Sequence, residues 1–298
     1  MGTKRKLENV LVIGATGLIG RALTARLQKR QCRLTVVTRR KNYQLSGATV
    51  LRGDLTNAGF CRRVLRGIDT VYYTASCRRN LEWHLNRPWH FAKRNVVPLL
   101  NLLKALESSS VKKFLYMSTI QVDYAADNEA PVDGYAFGKS VNEMLVRAFA
   151  REHIGIDVKI IRATAVYGPG DNFDLATANL IPALICKVDK SADSLEIWGR
   201  GTRWMQFIYV DDVVDNLIAI ARSARENFFV LGHPRAYSIS QLAKIIIRQF
   251  KKKLPVTRNL AKPDNPTKLF TFHNQTRPKV GLPEGIARTI TYYRTHHV

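Results

Sequence analysis

The chain has 298 residues, of which 46% are hydrophobic, and it carries 47 lysines and arginines against 23 aspartates and glutamates, for a formal net charge of +24. This length allows a large buried core, and the four cysteines show neither C-x-x-C spacing nor a neighbouring histidine cluster, which argues against a disulfide framework or a metal site. No apolar run approaches the roughly 20 residues that span a bilayer, and no signal-peptide segment precedes the first strand, so we expect a cytoplasmic protein.

The first predicted elements are a strand, a glycine-rich turn and a helix. Residues 10–13 are continuously apolar, as in a strand buried on both faces, and an amphipathic helical pattern runs over residues 18–27. Glycines in the turn allow a tight bend, expose backbone amides to a pyrophosphate at the helix start, and let helix and strand pack closely. The pattern predicts a dinucleotide site formed by Gly14, Thr16, Gly17, Leu18, Ile19 and Gly20, although such glycines also occur in turns that bind nothing.

Strand-like apolar runs then recur with helical stretches between them. They lie at residues 10–13, 34–37, 49–51, 70–73, 113–117 and 158–162. This alternation predicts an α/β fold, a Rossmann-type doubly wound parallel sheet with right-handed crossovers. We predict a cofactor-binding domain of residues 1–165, to which residues 207–222 return, and a smaller C-terminal substrate-binding lobe of residues 166–206 and 223–298.

Cofactor choice depends on the end of the second strand, where the residues are Thr38, Arg39 and Arg40. NAD enzymes usually place a carboxylate there for the ribose 2′-hydroxyl, whereas arginine accommodates the 2′-phosphate of NADP. We therefore predict that Arg39 and Arg40 bind NADP(H). The alternative is that both arginines are solvated, as expected in a basic protein, and that the cofactor is NAD(H).

Tyr135 and Lys139 carry the predicted proton chemistry. They are four residues apart on a predicted helix, which puts the phenol and the ammonium on one face. Tyrosine has an ordinary pKa of about 10, and we expect the adjacent cation to lower it, so that the pair can transfer a proton. Thr119, at the end of the preceding strand, supplies a hydroxyl that can hold a substrate oxygen beside the phenol.

These motifs together resemble the extended short-chain dehydrogenase/reductases, the NAD(P)-dependent epimerase/dehydratase family acting on nucleotide sugars. The resemblance covers nearly the whole chain and is carried by Gly14 to Gly20, Gly53-Asp54-Leu55, Ser118-Thr119, Tyr135 with Lys139, Val166-Tyr-Gly-Pro169, Phe207-Ile-Tyr-Val-Asp211-Asp212 and the closing Gly281-Leu-Pro-Glu-Gly285. It implies a catalytic triad of Thr119, Tyr135 and Lys139, with Lys139 also on the nicotinamide ribose. The cofactor site it implies further includes Asp54 and Leu55 at the adenine, Ala75, and Asn95, which helps to place the catalytic elements.

Within that family, residues 167–202 are most similar to the GDP-L-fucose synthases, which epimerise C3 and C5 and reduce C4. Gln121 replaces their epimerising cysteine, and Asn179 replaces the partnering histidine. Neither amide exchanges protons, so we expect no epimerisation at C3 or C5. Met205 in place of an arginine and Ala165 in place of an asparagine leave the exact substrate open. The predicted substrate-binding residues are Gln121, Asn179, Trp198 and Arg203.

The leading hypothesis is an NADPH-dependent reductase of a nucleotide-activated 4-keto-6-deoxy sugar, in which Tyr135 protonates the oxygen as hydride arrives at C4. An NAD-dependent nucleotide-sugar 4-epimerase needs the same triad and is the second hypothesis. The fold also occurs in non-enzymatic scaffold and RNA-binding proteins, and the net charge would suit RNA. The basic residues are dispersed along the chain, however, which favours a solvated basic surface over a nucleic-acid site.

Members of this family usually dimerise through a four-helix bundle, so we expect a homodimer built from helices near residues 91–106 and 135–152. Its apolar stripe would include Val97, Leu100, Leu103, Val141, Leu145 and Phe149, which could equally pack on the sheet. His84, His90 and Asp123 are the other candidates for an epimerising acid or base, but His84 and His90 fall in a variable loop, where solvated histidines are expected.

Overall fold

Strands and helices alternate along most of the chain. The computed structural model describes residues 7–124, 133–222, 226–262 and 278–297, so that parts of the predicted segments 1–165 and 223–298 lie outside the described residues. The strands are β1 (Glu8–Ile13), β2 (Cys32–Thr38), β3 (Ala48–Arg52), β4 (Thr70–Tyr73), β5 (Lys113–Thr119), β6 (Asp157–Ala163), β7 (Ala165–Tyr167), β8 (Leu195–Trp198), β9 (Trp204–Tyr209), β10 (Phe228–Leu231), β11 (Ala236–Ser238) and β12 (Val256–Asn259). The helices are α1 (Leu18–Gln28), α2 (Ala58–Val64), α3 (Leu81–Asn86), α4 (Pro88–Leu106), α5 (Gly134–Glu152), α6 (Leu180–Lys190), α7 (Val210–Ile220), α8 (Ile239–Gln249) and α9 (Leu282–His297), and a 3₁₀ turn (Ile120–Tyr124) follows β5.

Seven parallel strands form the large sheet, in the order β10-β6-β5-β4-β1-β2-β3. The chain order reverses between β1 and β4, and in such sheets ligands bind in the crevice at the carboxyl ends of the strands at this point. The predicted Rossmann-type sheet is therefore confirmed. One strand was not predicted for it: β10 pairs with β6, with Phe228 opposite Ile160, although its residues fall in the range assigned to the smaller lobe.

The apolar strands of this sheet are buried because helices cover both faces. Successive residues of β1 point to opposite sides, so Leu11 joins a core with α2, α4 and α5, while Val12 joins a core with α1 and α7. Leu103 and Phe149 belong to the first of these cores. These two residues therefore pack on the sheet, which was the stated alternative to an outward dimer stripe. The other members of that stripe, Val97, Leu100, Val141 and Leu145, are partly exposed.

The smaller lobe contains a three-stranded sheet (β11-β9-β7), the parallel pair β12-β8, and helices α6, α8 and α9. Its core includes Leu195, Phe207 and Ile246. Helix α8 begins at a capping box, in which Ser238 and Gln241 each accept from the other's backbone amide. In the described part of the chain, no helix has the length and apolar character needed to cross a membrane, and no group of three or more metal-ligating side chains is found.

Candidate active site

The glycine-rich turn joins β1 to α1 beside the end of β4. Gly14 has a φ of +96°, a left-handed conformation that favours glycine, and a Cβ there would lie 2.6 Å from the amide nitrogen of Ala75. A Cβ on Gly20 would lie 2.1 Å from the carbonyl oxygen of Gly14. The amide of Gly17 donates to that same oxygen at 3.0 Å. The turn therefore admits no side chain at Gly14 or Gly20, and it holds α1 close to the sheet.

Helix α1 begins at this turn with the features of an anion-binding site. Gly17 is its N-cap, exposed and extended (φ −84°, ψ 172°), so that no side chain covers the first amides. The first turn of a helix leaves amides without intrahelical acceptors at its positive end, and no acidic residue in this turn opposes an anion. Thr16, Leu18 and Ile19 are partly exposed around it. These donors fit the pyrophosphate of a dinucleotide.

Arg39, Arg40, Asp54 and Leu55 lie together at the ends of β2 and β3. Arg39 Nη1 is 3.8 Å from Asp54 Oδ2, and both side chains are exposed. The amide of Arg40 donates to Thr38 Oγ1 at 3.0 Å, and Leu55 is buried. The structure thus brings a cation and a carboxylate to one edge of the sheet, and the cation at the end of β2 suits a 2′-phosphate.

Asn95, on α4, connects three elements. Its Oδ1 accepts from the amide of Cys77 at 2.9 Å, and its Nδ2 donates to the carbonyl oxygens of Cys77 and Phe91 at 3.0 and 2.8 Å. Its own carbonyl oxygen accepts from Asn142 Nδ2, on α5, at 3.1 Å. These hydrogen bonds fix the loop after β4, which begins near Ala75, relative to α4 and α5.

Thr119, Tyr135 and Lys139 meet where β5 ends and α5 begins. All three are buried. The side chains of Ser76 and Thr119 lie close to the phenol of Tyr135 and act against the rise in its pKa. Lys139 Nζ donates to the carbonyl oxygen of Met117 at 2.7 Å. A phenol, two hydroxyls and an ammonium therefore lie close together at the carboxyl edge of the sheet, an arrangement that can pass a proton to a bound oxygen.

The pKa of Tyr135 differs from the sequence expectation. Burial raises it, and the Arg78 guanidinium, whose Cζ lies 5.4 Å from the ring centroid, acts against this shift. Burial also lowers the pKa of Lys139 to about 7, with the Glu143 carboxylate opposing the shift and Arg78 adding to it. The expected lowering of the Tyr135 pKa is wrong because it counted a neighbouring charge and omitted desolvation.

Three further residues at this site were missing from the predicted set. Ser76 and Arg78 follow β4, and the Nε of Arg78 is buried without a hydrogen-bond partner among the described residues. Their position after a strand of a doubly wound sheet was the available signal. The third is Asp171, after β7, whose pKa burial raises to about 6 against a hydrogen bond from the amide of Asn172 and the charge of Arg78. For Asp171, the signal available in the sequence was its position in a glycine-rich loop.

His84 was expected in a solvated loop, and the structure corrects this. It lies on α3, is buried, and its ring stacks on that of Tyr135 with centroids 5.2 Å apart. His90 is exposed, as expected, but lies on α4. The loop pattern in the sequence did not reveal that α3 folds against the start of α5.

The predicted substrate-binding residues fall into two places. Gln121 lies beside Thr119, to whose Oγ1 its amide donates at 3.3 Å, and its Oε1 is buried with no hydrogen-bond partner within the described ranges. The others belong to the smaller lobe. Asn179 is the N-cap of α6 and makes no side-chain capping hydrogen bond, Trp198 ends β8, and Arg203 precedes β9.

Known proteins of similar length match this chain. The dTDP-4-dehydro-6-deoxy-D-allose reductase of Streptomyces sp is 24% identical over an alignment of 318 positions, gaps included, which covers 97% of each chain. The GDP-L-fucose synthase of Sinorhizobium fredii is 27% identical, over 95% of this chain and 94% of its own. The crystal structure of UDP-glucose 4-epimerase from Thermotoga maritima with UDP-glucose has a TM-score of 0.81 at 24% identity, over 96% of this chain and 99% of that one, and shows the shared fold.

The sequence model of the NAD-dependent epimerase/dehydratase family matches residues 10–239. That range begins in β1, contains the glycine turn and the buried tyrosine and lysine, and extends through the three-stranded sheet of the smaller lobe to the start of α8. The chain therefore belongs to the NAD-dependent epimerase/dehydratase family, the extended short-chain dehydrogenase/reductases, and is an NAD(P)-dependent oxidoreductase by family.

Proposed function

We propose that this protein is an NADPH-dependent reductase of a nucleotide-activated 4-keto-6-deoxy sugar. The observation that carries the proposal is the buried phenol of Tyr135, which lies close to Thr119 and Ser76 at the edge of the sheet where the glycine turn lies. The full-length relatives that are named as a dTDP-sugar reductase and a GDP-L-fucose synthase support it.

Tyr135 supplies the proton in this reduction. Because burial raises the pKa of its phenol, the group is a protonated acid at neutral pH, which is the form that reduction of a ketone requires. The Thr119 hydroxyl holds the carbonyl oxygen beside the phenol, and the reduced nicotinamide, when bound, supplies hydride to C4. The Arg78 guanidinium, 5.4 Å from the ring, stabilises the phenolate that remains.

The other predicted residues are assigned to the cofactor and to the nucleotide sugar. The α1 turn would hold the pyrophosphate, Asp54 and Leu55 the adenine, and Lys139 the nicotinamide ribose. The nucleotide sugar would lie between the sheet edge and the smaller lobe, with four side chains as its contacts: Gln121, Asn179, Trp198 and Arg203. The proposal is tested by offering the protein dTDP- and GDP-linked 4-keto-6-deoxy sugars and monitoring turnover as the decrease in NADPH absorbance. If neither sugar is turned over, the proposal is contradicted.

Arg39 and Arg40 support NADP(H) as the cofactor. A charge-assisted hydrogen bond contributes roughly 1.5–3 kcal/mol, so replacing both by alanine should raise the KM for NADPH by about tenfold or more and leave that for NADH unchanged. Arg33→Ala, exposed at the opposite end of β2, is the matched control and should change neither constant. Equal use of NADPH and NADH by the unaltered protein would contradict the assignment.

The reduction should leave C3 and C5 untouched. Epimerisation beside a ketone needs one group to remove a carbon-bound proton and another to return one, and Gln121 and Asn179 can do neither. Asp171 is the candidate base against which this expectation is tested, because burial raises the pKa of its carboxyl to about 6. In deuterated water the product should carry no deuterium at C3 or C5. Incorporation that is lost in Asp171→Asn would overturn the expectation and identify the base.

A 4-epimerase is the second candidate. Arg39 is the feature that favours it, since its guanidinium lies 3.8 Å from the Asp54 carboxylate and an arginine so engaged need not bind the 2′-phosphate of NADP. The structural similarity to a UDP-glucose 4-epimerase agrees. Tightly bound NAD⁺ in the purified protein, with interconversion of UDP-sugars, would establish the epimerase; freely exchanging NADPH would establish the reductase.

We also propose a homodimer formed by α4 and α5. Trp89, Phe137 and Met144 are exposed apolar side chains on these helices, next to the partly exposed Val97 and Val141. Met144→Glu should convert a dimer into a monomer in sedimentation velocity, because it places a charge inside an apolar interface. A wild-type monomer at micromolar concentration would contradict the dimer.

A cytoplasmic location is proposed as well, since the four cysteines are free thiols.

A further inference from the structure

His84 makes a direct contact with the proposed proton donor. Its ring stacks on Tyr135 with an interplanar angle of 22° and a centroid separation of 5.2 Å. On another side it meets Phe91 edge-to-face, with centroids 4.8 Å apart. Only 4% of His84 is exposed. The imidazole is therefore packed between two aromatic rings, one of which bears the phenol that the proposed reaction uses.

The two ring nitrogens of His84 are both engaged by the protein. Nε2 accepts from the backbone amide of Arg79 at 3.0 Å, so the ring proton resides on Nδ1. Nδ1 lies 3.5 Å from Oδ1 of Asp133. Since neither nitrogen is left for a substrate, His84 is not an acid or base in the reaction.

Asp133 connects this histidine to the helix that carries Tyr135. Its Oδ1 accepts from the amides of Tyr135 and Ala136 at 2.9 and 3.1 Å, which caps the start of α5. Burial works against its ionised form, but the approach of His84 Nδ1 and the hydrogen bonds from the two amides outweigh burial and lower the pKa of Asp133. An anionic Asp133 thus holds the first turn of α5 and orients the imidazole.

We propose that His84 is a positioning residue for Tyr135, an inference that rests on the proposed function. The Arg79 amide and the Asp133 carboxylate fix the plane of the imidazole, and the stacked imidazole fixes the plane of the phenol. The phenol hydroxyl is thereby kept beside Thr119 and Ser76. Small misplacements of a reacting group cost large factors in rate, about 100-fold for 1 Å, so this contact acts on kcat.

The test separates the stacked ring from the rest of the side chain. In His84→Ala, kcat with dTDP-4-keto-6-deoxyglucose and NADPH should fall about tenfold or more, while both KM values stay within about twofold. His84→Phe keeps a ring on the phenol and should recover kcat to within about threefold of wild type. His90→Ala is the matched control, because His90 also contacts Phe91, with centroids 5.4 Å apart, but is exposed and should leave kcat unchanged. If His84→Ala does not fold, His84→Gln replaces it, since glutamine can accept from the Arg79 amide but cannot stack.

A second readout needs no substrate. In NMR spectra of protein with labelled tyrosine, the Tyr135 ring signals are assigned as those that disappear in Tyr135→Phe. The ring-current shift that the stacked His84 ring causes in these signals should be lost in His84→Ala and regained in His84→Phe. Wild-type kcat in His84→Ala, equal losses of kcat in the alanine and phenylalanine variants, or unchanged Tyr135 signals would each overturn the proposal. An inactive wild-type protein whose Tyr135 signals respond as expected would overturn the proposed function and leave the ring contact established.

Discussion

Lys139 offers a quantitative test of the site through protein stability. Its side chain is buried, with Nζ donating to Met117 O at 2.7 Å, and burial lowers its pKa to about 7, against Glu143 and with Arg78. In the unfolded chain a lysine has a pKa of about 10.4. Because the folded value is the lower one, the unfolded state binds more protons between these two pH values. The contribution of Lys139 to stability is therefore smallest below about pH 7 and rises with pH up to about 10.4.

The expected change in the free energy of unfolding follows from the size of the pKa shift of Lys139. At roughly 1.4 kcal/mol per pH unit, the free energy of unfolding of wild type minus that of Lys139→Met should increase by about 2 kcal/mol between about pH 7 and about pH 9. Urea titrations followed by circular dichroism, without cofactor, measure both free energies. Lys104→Met, an exposed replacement on α4, controls for the loss of a lysine as such. A difference that stays flat over this range would refute the reasoning, since it would mean that Lys139 is not held in a desolvated site.

Two further predictions concern the framework. Gly20→Ala should lower the free energy of unfolding by about 1–3 kcal/mol, because the new Cβ clashes with backbone, whereas Gly155→Ala, which meets nothing within 4 Å, should change it by less than about 0.5 kcal/mol in the same urea assay. Arg162→Met should cost about 3–5 kcal/mol, because it leaves the buried Glu143 carboxylate without the two guanidinium hydrogen bonds it accepts at 2.8 Å. Arg147→Met removes an exposed partner of the same carboxylate at 3.7 Å and should cost less than about 1 kcal/mol; equal losses in the two arginine variants would contradict this account.

Local patterns were enough to predict most of the large sheet. Strands β1, β2, β4, β5 and β6 are apolar runs, and the glycines at 14, 17 and 20 predicted the turn between β1 and α1. The place of β10 was not predictable in this way, because pairing with β6 depends on which sheet edge remains open after the rest has folded.

The chemistry of the site was harder to predict than its residues. The four-residue spacing of Tyr135 and Lys139 placed both on one helix, but it carried no information about their desolvation, which sets the direction of both pKa shifts. Arg78 and His84 reach the phenol from the segment after β4, so their contacts arise from tertiary packing alone. A solvated loop was expected at His84 because no helix was predicted between β4 and residue 91.

The pairing of β10 with β6 determines where this chain can be cut. A fragment ending at residue 222, the predicted end of the cofactor-binding part, would lack Phe228–Leu231 and expose the edge of Asp157–Ala163. An exposed, apolar edge strand is a template for pairing with other chains, so such a fragment should aggregate. Any attempt to isolate the cofactor-binding half therefore has to carry β10 with it, attached directly or supplied as a peptide.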